Sequence, residues 1–156
     1  SRVCTVNTFI EPKQCTYSRI NKMTTVHEQA VSIVKAFLEA SMAPDPDRAA
    51  ALMAENVQIT FTGKRRMARV HEVTAFNADR YRWVKKQPGD FEWMAKGDNH
   101  TVIYCTGTLY GSWPDGREFA GNRYLDRYEV QGGEITMMDV WNDSAEWILE
   151  PELNQK

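Results

Sequence analysis

Residues 123–130 read RYLDRYEV, and this stretch restricts the possible folds because its side chains alternate in character with period two. One face of the corresponding strand carries Tyr124, Asp126, Tyr128 and Val130. The other face carries Arg123, Leu125, Arg127 and Glu129. The first face is predicted to be buried, yet it holds a carboxylate. A buried ionised carboxylate is costly unless it is paired or hydrogen-bonded, so its position predicts a functional pocket.

The length of 156 residues predicts one domain with a core large enough to enclose a pocket. Hydrophobic residues make up 42% and aromatic residues 11% of the chain, as in globular proteins. The formal net charge is -2 with acids and bases interspersed, and the basic cluster at residues 64–66 is short, so we expect no nucleic-acid partner. No apolar run is long enough to span a bilayer, so we expect no membrane partner and a cytoplasmic location.

The cysteines and histidines give no sign of a disulfide framework or a metal site. Cys4, Cys15 and Cys105 are odd in number and irregularly spaced, and Cys105 is interpreted as a core residue. A pairing of Cys4 with Cys15 is left open. The three histidines are scattered without the spacing of metal ligands. The sequence therefore predicts neither a metal nor an organic cofactor.

The first half of the chain is predicted to be mainly helical. Residues 1–22 lack any period and are interpreted as an extension, followed by a domain at residues 23–150 and a tail at residues 151–156. Thr25 and Glu28 form a capping box at the start of helix one. Asp45 and Pro46 begin helix two, which is predicted to reach about residue 55. A strand at residues 57–61 and a third helix at residues 68–85 follow, and the dipeptide at residues 88–89 (PG) ends that helix.

The second half of the chain is predicted to form four strands and a short last helix. The strands lie at residues 90–96, 101–113, 118–131 and 134–142, and the helix lies at residues 144–149. This order predicts an α+β fold in which a curved antiparallel sheet wraps around the N-terminal helices. Because long strands twist and curl, we expect a cone-shaped barrel with an internal apolar pocket.

Asp126 is the main catalytic candidate. Burial favours the protonated form of a carboxyl group, which donates a hydrogen bond, whereas the ionised form abstracts a proton. Tyr124 and Tyr128 flank it and could stack on a flat ligand, and Asn142 could orient a ligand carbonyl. Two alternatives stay open: Asp126 could pair with an arginine, and Asn142 could cap the last helix. Residues that could line the pocket, or serve only as strand formers and core aromatics, are Thr106, Thr108 and Trp93.

The order of elements resembles the SnoaL-like branch of the nuclear transport factor 2-like superfamily. The resemblance covers about residues 23–150 and includes GEIT at residues 133–136 and VWNDS at residues 140–144. The branch includes ketosteroid isomerase, limonene epoxide hydrolase, polyketide cyclases and phenazine biosynthesis proteins. The resemblance implies a curved sheet, a conical apolar pocket and a homodimer packed through the outer face of the sheet.

Most functional residues of these relatives have no counterpart here. Asp126 matches the isomerase aspartate that stays protonated and helps to hold the oxyanion. The isomerase base falls on Phe61 and its oxyanion tyrosine on Phe37. The epoxide hydrolase dyad falls on the two threonines at 106 and 108, and the phenazine-protein glutamate falls on Val140. The resemblance thus leaves Asp126 in a pocket lined by Phe37, Ile59, Phe61, Met138 and Val140.

Two functions follow as expectations. The first is a cofactor-independent enzyme that performs acid/base chemistry, as an isomerase, cyclase, dehydratase or hydrolase, on a small hydrophobic molecule. The second is a protein that binds such a molecule without converting it, which the missing partner acids favour. A homodimer is also expected, because Asp139 and Trp141 lie on the face opposite Met138 and Val140 and add aromatic surface there.

Overall fold

A computed structural model describes residues 24–43 and 45–149. The predictions for the N-terminal extension, including Cys4 and Cys15, and for the tail lie outside these residues. The helices of the described ranges are α1 (Val26–Met42), α2 (Pro46–Ala50), α3 (Val70–Arg80) and α4 (Ser144–Leu149). The strands of the same ranges are β1 (Met53–Phe61), β2 (Arg65–Met67), β3 (Trp83–Gly97), β4 (His100–Ser112), β5 (Glu118–Gln131) and β6 (Glu134–Asn142). None of the described helices has the length and hydrophobicity needed to cross a membrane.

The first two helices begin where the sequence predicts. The Thr25 hydroxyl accepts a hydrogen bond from the Glu28 amide at 3.1 Å, and the Glu28 carboxylate accepts one from the Thr25 amide at 2.8 Å. This capping box satisfies amide groups that the first turn of α1 leaves unpaired. The Asp45 carboxylate caps α2 by accepting a hydrogen bond from the Arg48 amide, and Pro46 occupies the first helical position. Helix α1 then packs its buried face against β3, β4 and β6.

The six strands form one sheet in the order β2-β1-β6-β5-β4-β3. Strands β3 to β6 form an antiparallel meander, whereas β1 runs parallel to β6. The sheet is therefore mixed, and it is open rather than closed into a barrel, because β2 and β3 are its edges. The α+β class is confirmed. The predicted antiparallel meander is also found, and the β1–β6 pairing is the parallel exception, because the chain crosses from β1 through α3 and the meander before β6 returns beside it.

The element bounds are confirmed for β5, β6 and α4 and corrected earlier in the chain. Helix α3 ends at Arg80, and the sequence from Trp83 to Gly97 is one long strand. Pro88, predicted to end a helix, lies at a register shift within this strand. An edge strand tolerates proline there because its missing N–H faces no partner. Helix α2 is likewise shorter than predicted, since β1 already begins at Met53.

The two faces of the meander differ in polarity as the period of β5 predicts. The four residues of β5 predicted to face inward, Tyr124, Asp126, Tyr128 and Val130, are 0–4% exposed. The outer face carries Glu129, which is only 5% exposed because Lys96, His100 and Arg127 surround it. Burial alone would raise the pKa of Glu129, but hydrogen bonds from Arg127, Lys96 and His100 overcome it and lower the pKa to about 2.

Candidate functional site

A cavity of about 350 Å³ lies between α1, α3 and the inner face of the sheet. This volume is within the range of small-molecule sites, which begins at roughly 300 Å³. Most of its wall is apolar and comes from Phe37, Leu38, Phe61, Val70, Val73, Leu109, Met138 and Val140. Polar side chains that line it include Thr74, Asn77, Lys86, Tyr124, Tyr128 and Asn142. The cavity thus combines a hydrophobic wall with a few polar groups.

Lys86 forms an ion pair with Asp126 at the wall of this cavity. The Lys86 ammonium group contacts Oδ2 of Asp126, although β3 and β5 are separated by β4. The Asp126 side chain is fully buried, whereas that of Lys86 keeps 21% of its surface exposed. Asp126 does not line the cavity, but Lys86 does. Of the two members of the pair, Lys86 is therefore the one that a ligand can meet, and Arg82 and Lys85 are the other charged residues of the lining in the described part of the chain.

Two tyrosines complete the polar group. The Tyr128 hydroxyl donates to Oδ2 of Asp126 at 2.9 Å. The Tyr124 hydroxyl lies 3.2 Å from the Cys105 sulfur, and its ring lies under the Lys86 ammonium, 4.2 Å from nitrogen to centroid. Such a cation–π contact helps to hold the ammonium in place. The other carboxylate oxygen of Asp126, Oδ1, is buried and has no hydrogen-bond partner among the described residues.

Burial keeps these hydroxyl and thiol groups neutral. It raises the pKa of Tyr124, and the hydrogen bond with Cys105 raises it further. Burial and the neighbouring Asp126 carboxylate raise the pKa of Tyr128 well above its ordinary value. Burial also raises the pKa of the Cys105 thiol. Both tyrosines therefore keep their protons near neutral pH, and Tyr128 uses its proton to donate to Asp126.

Gly107 of β4 allows this arrangement. It pairs with Pro88 on one side and with Tyr124 on the other. A Cβ atom at this position would lie 2.8 Å from Cε1 of the Tyr124 ring. The missing side chain leaves room for that ring next to β4, where it meets Lys86.

The predicted site residues divide into those that line the cavity, those that are buried behind its wall and those that lie outside it. Those that line the cavity are Tyr124, Tyr128, Asn142, Phe37, Phe61, Met138 and Val140. Asp126 and Ile59 are buried, at 0% and 1% exposure, but lie behind the wall. Asn142 also accepts a hydrogen bond from the Ser144 amide at 3.1 Å, as the alternative of a cap for α4 requires.

The predicted pocket positions of Thr106, Thr108 and Trp93 are wrong. Thr106 is exposed and pairs with Leu125 of the outer face, and Thr108 pairs with Arg123 of the same face. Both therefore point away from the cavity, because the side-chain period of a strand is two. Trp93 does face α1, but it stacks on His27, with ring centroids 4.9 Å apart, and stays 45% exposed.

Lys86 is the functional residue that sequence reasoning missed. The third helix predicted from the sequence ends one residue before it, and the following PG dipeptide is typical of a turn. The sequence VKKQP at residues 84–88 has no alternation of apolar and polar residues, so it gives no signal for a strand. A period of two appears only in the structure, where Val84, Lys86 and Pro88 are half-buried and Lys85 and Gln87 are exposed.

Comparison with solved structures identifies the fold. The chain is similar to a nuclear transport factor 2-like protein of unknown function from Burkholderia pseudomallei, with a TM-score of 0.65 and 19% identity over 82% of this chain and 98% of that chain. A protein provisionally named a SnoaL-like polyketide cyclase, from Jannaschia, has a TM-score of 0.61 and 13% identity over 79% of this chain and 91% of that chain. The chain has the nuclear transport factor 2-like fold.

A third similar structure with this fold contains a ligand. It is TerC co-crystallised with polyporic acid, with a TM-score of 0.64 and 13% identity over 80% of this chain and 98% of that chain. No family model matches the sequence, and no curated protein matches it significantly. The similarity to these solved structures confirms, for the nuclear transport factor 2-like fold, the resemblance drawn from the sequence. Within the described ranges, no cluster of three or more histidine, cysteine or acidic side chains could hold a metal ion.

Proposed function

We propose that the protein is a small-molecule enzyme that performs acid/base chemistry at or beside a carbonyl group of a hydrophobic substrate. The observation that carries this proposal is the Lys86–Asp126 pair at the wall of an apolar cavity. An ammonium group at such a wall activates a carbonyl because it withdraws electron density from the carbonyl oxygen. In a water-poor site this effect is larger than in bulk solvent.

The roles of the residues follow from their contacts. We assign contact with the substrate carbonyl to Lys86, since this residue lines the cavity and Asp126 does not. Asp126 holds Lys86 and exchanges a proton with it, and Tyr128 holds the carboxylate through its hydroxyl. The apolar wall formed by Phe37, Phe61 and their neighbours holds the rest of the substrate. The polyketide-cyclase name of one structural neighbour supports carbonyl chemistry in this fold, and the co-crystallisation of TerC with polyporic acid supports a small organic molecule as the ligand.

The alternative function is binding without conversion. One observation favours it: the cavity lining contains no aspartate or glutamate among the described residues. A general base must lie within hydrogen-bond reach of the proton that it removes, directly or through one water. In this alternative Lys86 serves only to fix an acceptor oxygen of the ligand.

Proton exchange at carbon tests the two functions. The protein is incubated in deuterium oxide with a panel of hydrophobic ketones, and loss of the proton beside the carbonyl is followed by NMR. We expect exchange with at least one ketone to slow in Lys86→Met by a factor on the order of a hundred. Lys64→Met is the matched control, because Lys64 is exposed and does not line the cavity.

The result must also separate a chemical defect from unfolding. Lys86→Met leaves the Asp126 carboxylate without its cation and could unfold the protein. The double variant Lys86→Met, Asp126→Asn is therefore measured beside it. We expect the double variant to stay folded and to catalyse proton exchange as slowly as Lys86→Met. Saturable ketone binding with no exchange above the solvent rate would replace the enzyme proposal by the binding alternative.

A further inference from the structure

We propose that Lys86 activates its substrate covalently, by forming an imine with the carbonyl carbon. This inference rests on the proposed function, since it assumes a carbonyl-bearing ligand. It assigns to Lys86 a nucleophilic role that hydrogen bonding to the carbonyl oxygen would not require.

The position of the amine is the first argument. A lysine becomes a nucleophile when it loses its proton, and an apolar surrounding favours the neutral form. Lys86 lines a cavity whose wall is mostly apolar, and it lies over the ring of Tyr124 rather than in open water. With 21% of its side chain exposed, it remains within reach of a molecule in the cavity.

A proton acceptor in contact with the amine is the second argument. Oδ2 of Asp126 contacts the Lys86 nitrogen and also accepts from the Tyr128 hydroxyl. Oδ1 has no partner among the described residues, although it is buried. An ionised carboxylate with an unpaired buried oxygen is costly, so transfer of the Lys86 proton to Asp126 removes the buried negative charge. Asp126 is therefore a positioning and proton-holding residue, and Lys86 is the catalytic residue.

The covalent step balances without an oxidant or reductant. Asp126 takes one proton from the ammonium, and the freed nitrogen lone pair forms a bond to the carbonyl carbon as the carbon–oxygen π bond breaks. The oxygen then takes the proton held by Asp126 and one proton from the nitrogen, and it leaves as water when the lone pair restored to the nitrogen forms the second carbon–nitrogen bond. The sum is one ammonium and one carbonyl converted to one protonated imine and one water. The positive nitrogen then acidifies the neighbouring C–H bond, and hydrolysis restores Lys86.

Reductive trapping tests the inference directly. The whole protein is treated with the hydrophobic ketone benzylacetone and sodium cyanoborohydride, digested, and analysed by mass spectrometry for a lysine that has gained the ketone and two hydrogens but lost water. We expect labelling at Lys86 to exceed that at the exposed Lys64 by about tenfold or more, because Lys86 lines the apolar cavity that takes up the ketone and contacts a proton acceptor. Equal labelling of the two lysines would overturn the inference.

Oxygen exchange and an arginine variant separate this inference from the proposed function. An imine route releases the carbonyl oxygen as water, so the protein should accelerate loss of oxygen-18 from labelled benzylacetone. Lys86→Arg keeps a cation for Asp126 but forms no stable imine, and should abolish this exchange. The imine is refuted, and the proposed function is retained, if the wild type shows no oxygen exchange and Lys86→Arg still shows proton exchange. Trapping at Lys86 without proton exchange on any ketone supports the imine and refutes the proposed function.

Discussion

Lys86 and Asp126 belong to strands that are not neighbours, yet the ammonium of one contacts the carboxylate of the other across β4. The pair is asymmetric, because the carboxylate is fully buried and the lysine side chain keeps 21% of its surface exposed. Removal of the lysine therefore leaves a buried charge, whereas removal of the carboxylate leaves a cation with access to the cavity.

The first prediction concerns the stability of this pair. Lys86→Met is expected to lower the free energy of unfolding by about 3–5 kcal/mol, because it leaves an uncompensated carboxylate in the interior. The double variant Lys86→Met, Asp126→Asn is expected to recover at least half of that loss. Urea unfolding of the wild type, both single variants and the double variant measures the coupling between the positions. If the losses of unfolding free energy in the two single variants sum to the loss in the double variant, the interaction between Lys86 and Asp126 does not contribute to stability.

The inner face of β5 illustrates what the sequence can predict. Strict alternation from Tyr124 to Val130 predicts which side chains are buried, and the burial of Asp126 follows from that period alone. The capping box at Thr25 and Glu28 is equally predictable, because it depends on residues three apart in sequence. Local periodicity and local hydrogen bonds are thus features that the amino-acid sequence is sufficient to predict.

The partner of Asp126 is not predictable in the same way. It depends on the register of β3 against β4 and of β4 against β5, and a sequence alone does not give these registers. Because Pro88 and Gly89 lie inside the long strand β3, sequence patterns divide that strand among a helix, a turn and a shorter strand at residues 90–96, and Lys86 is assigned to neither face of a sheet. The positions predicted for Thr106 and Thr108 are wrong for a related reason, since both faces of β4 carry residues that are plausible in a core.

The second prediction concerns acid stability through Glu129. Its pKa falls from 4.5 to about 2 in the folded protein, so the stabilisation is present above about pH 4.5 and is lost as the pH falls through about 2. At about 1.4 kcal/mol per pKa unit, this contribution is on the order of 3 kcal/mol. Glu129→Gln should be less stable at neutral pH and should lose less stability on acidification. Urea unfolding of both proteins between about pH 6 and pH 2 measures the difference, and parallel pH profiles would contradict the assignment.

The third prediction concerns the proposed homodimer. Trp141 lies on the outer face of the sheet next to Leu125 and is 50% exposed in the single chain. In a two-fold pairing through this face each substitution occurs twice, so Trp141→Glu should convert a dimer to monomers. Trp93→Glu is the control, because Trp93 is similarly exposed, at 45%, but faces α1. Sedimentation velocity at micromolar concentration measures the oligomeric state of all three proteins, and a monomeric wild type would refute the dimer.

The last prediction concerns access to the cavity. Ala78 and Ala75 are both exposed on α3, but only Ala78 lines the cavity. A tryptophan at position 78 should occupy part of the cavity and weaken binding of the apolar dye anilinonaphthalene sulfonate, whereas Ala75→Trp should not. Because both alanines are exposed, each substitution should change the free energy of unfolding by less than about 0.5 kcal/mol, so a loss of binding would not reflect unfolding. Fluorescence titration measures dye affinity and thermal melts measure stability. Equal affinity in the two variants would mean that the dye binds elsewhere, and weaker binding in Ala78→Trp alone would place the ligand between α3 and the Lys86–Asp126 pair.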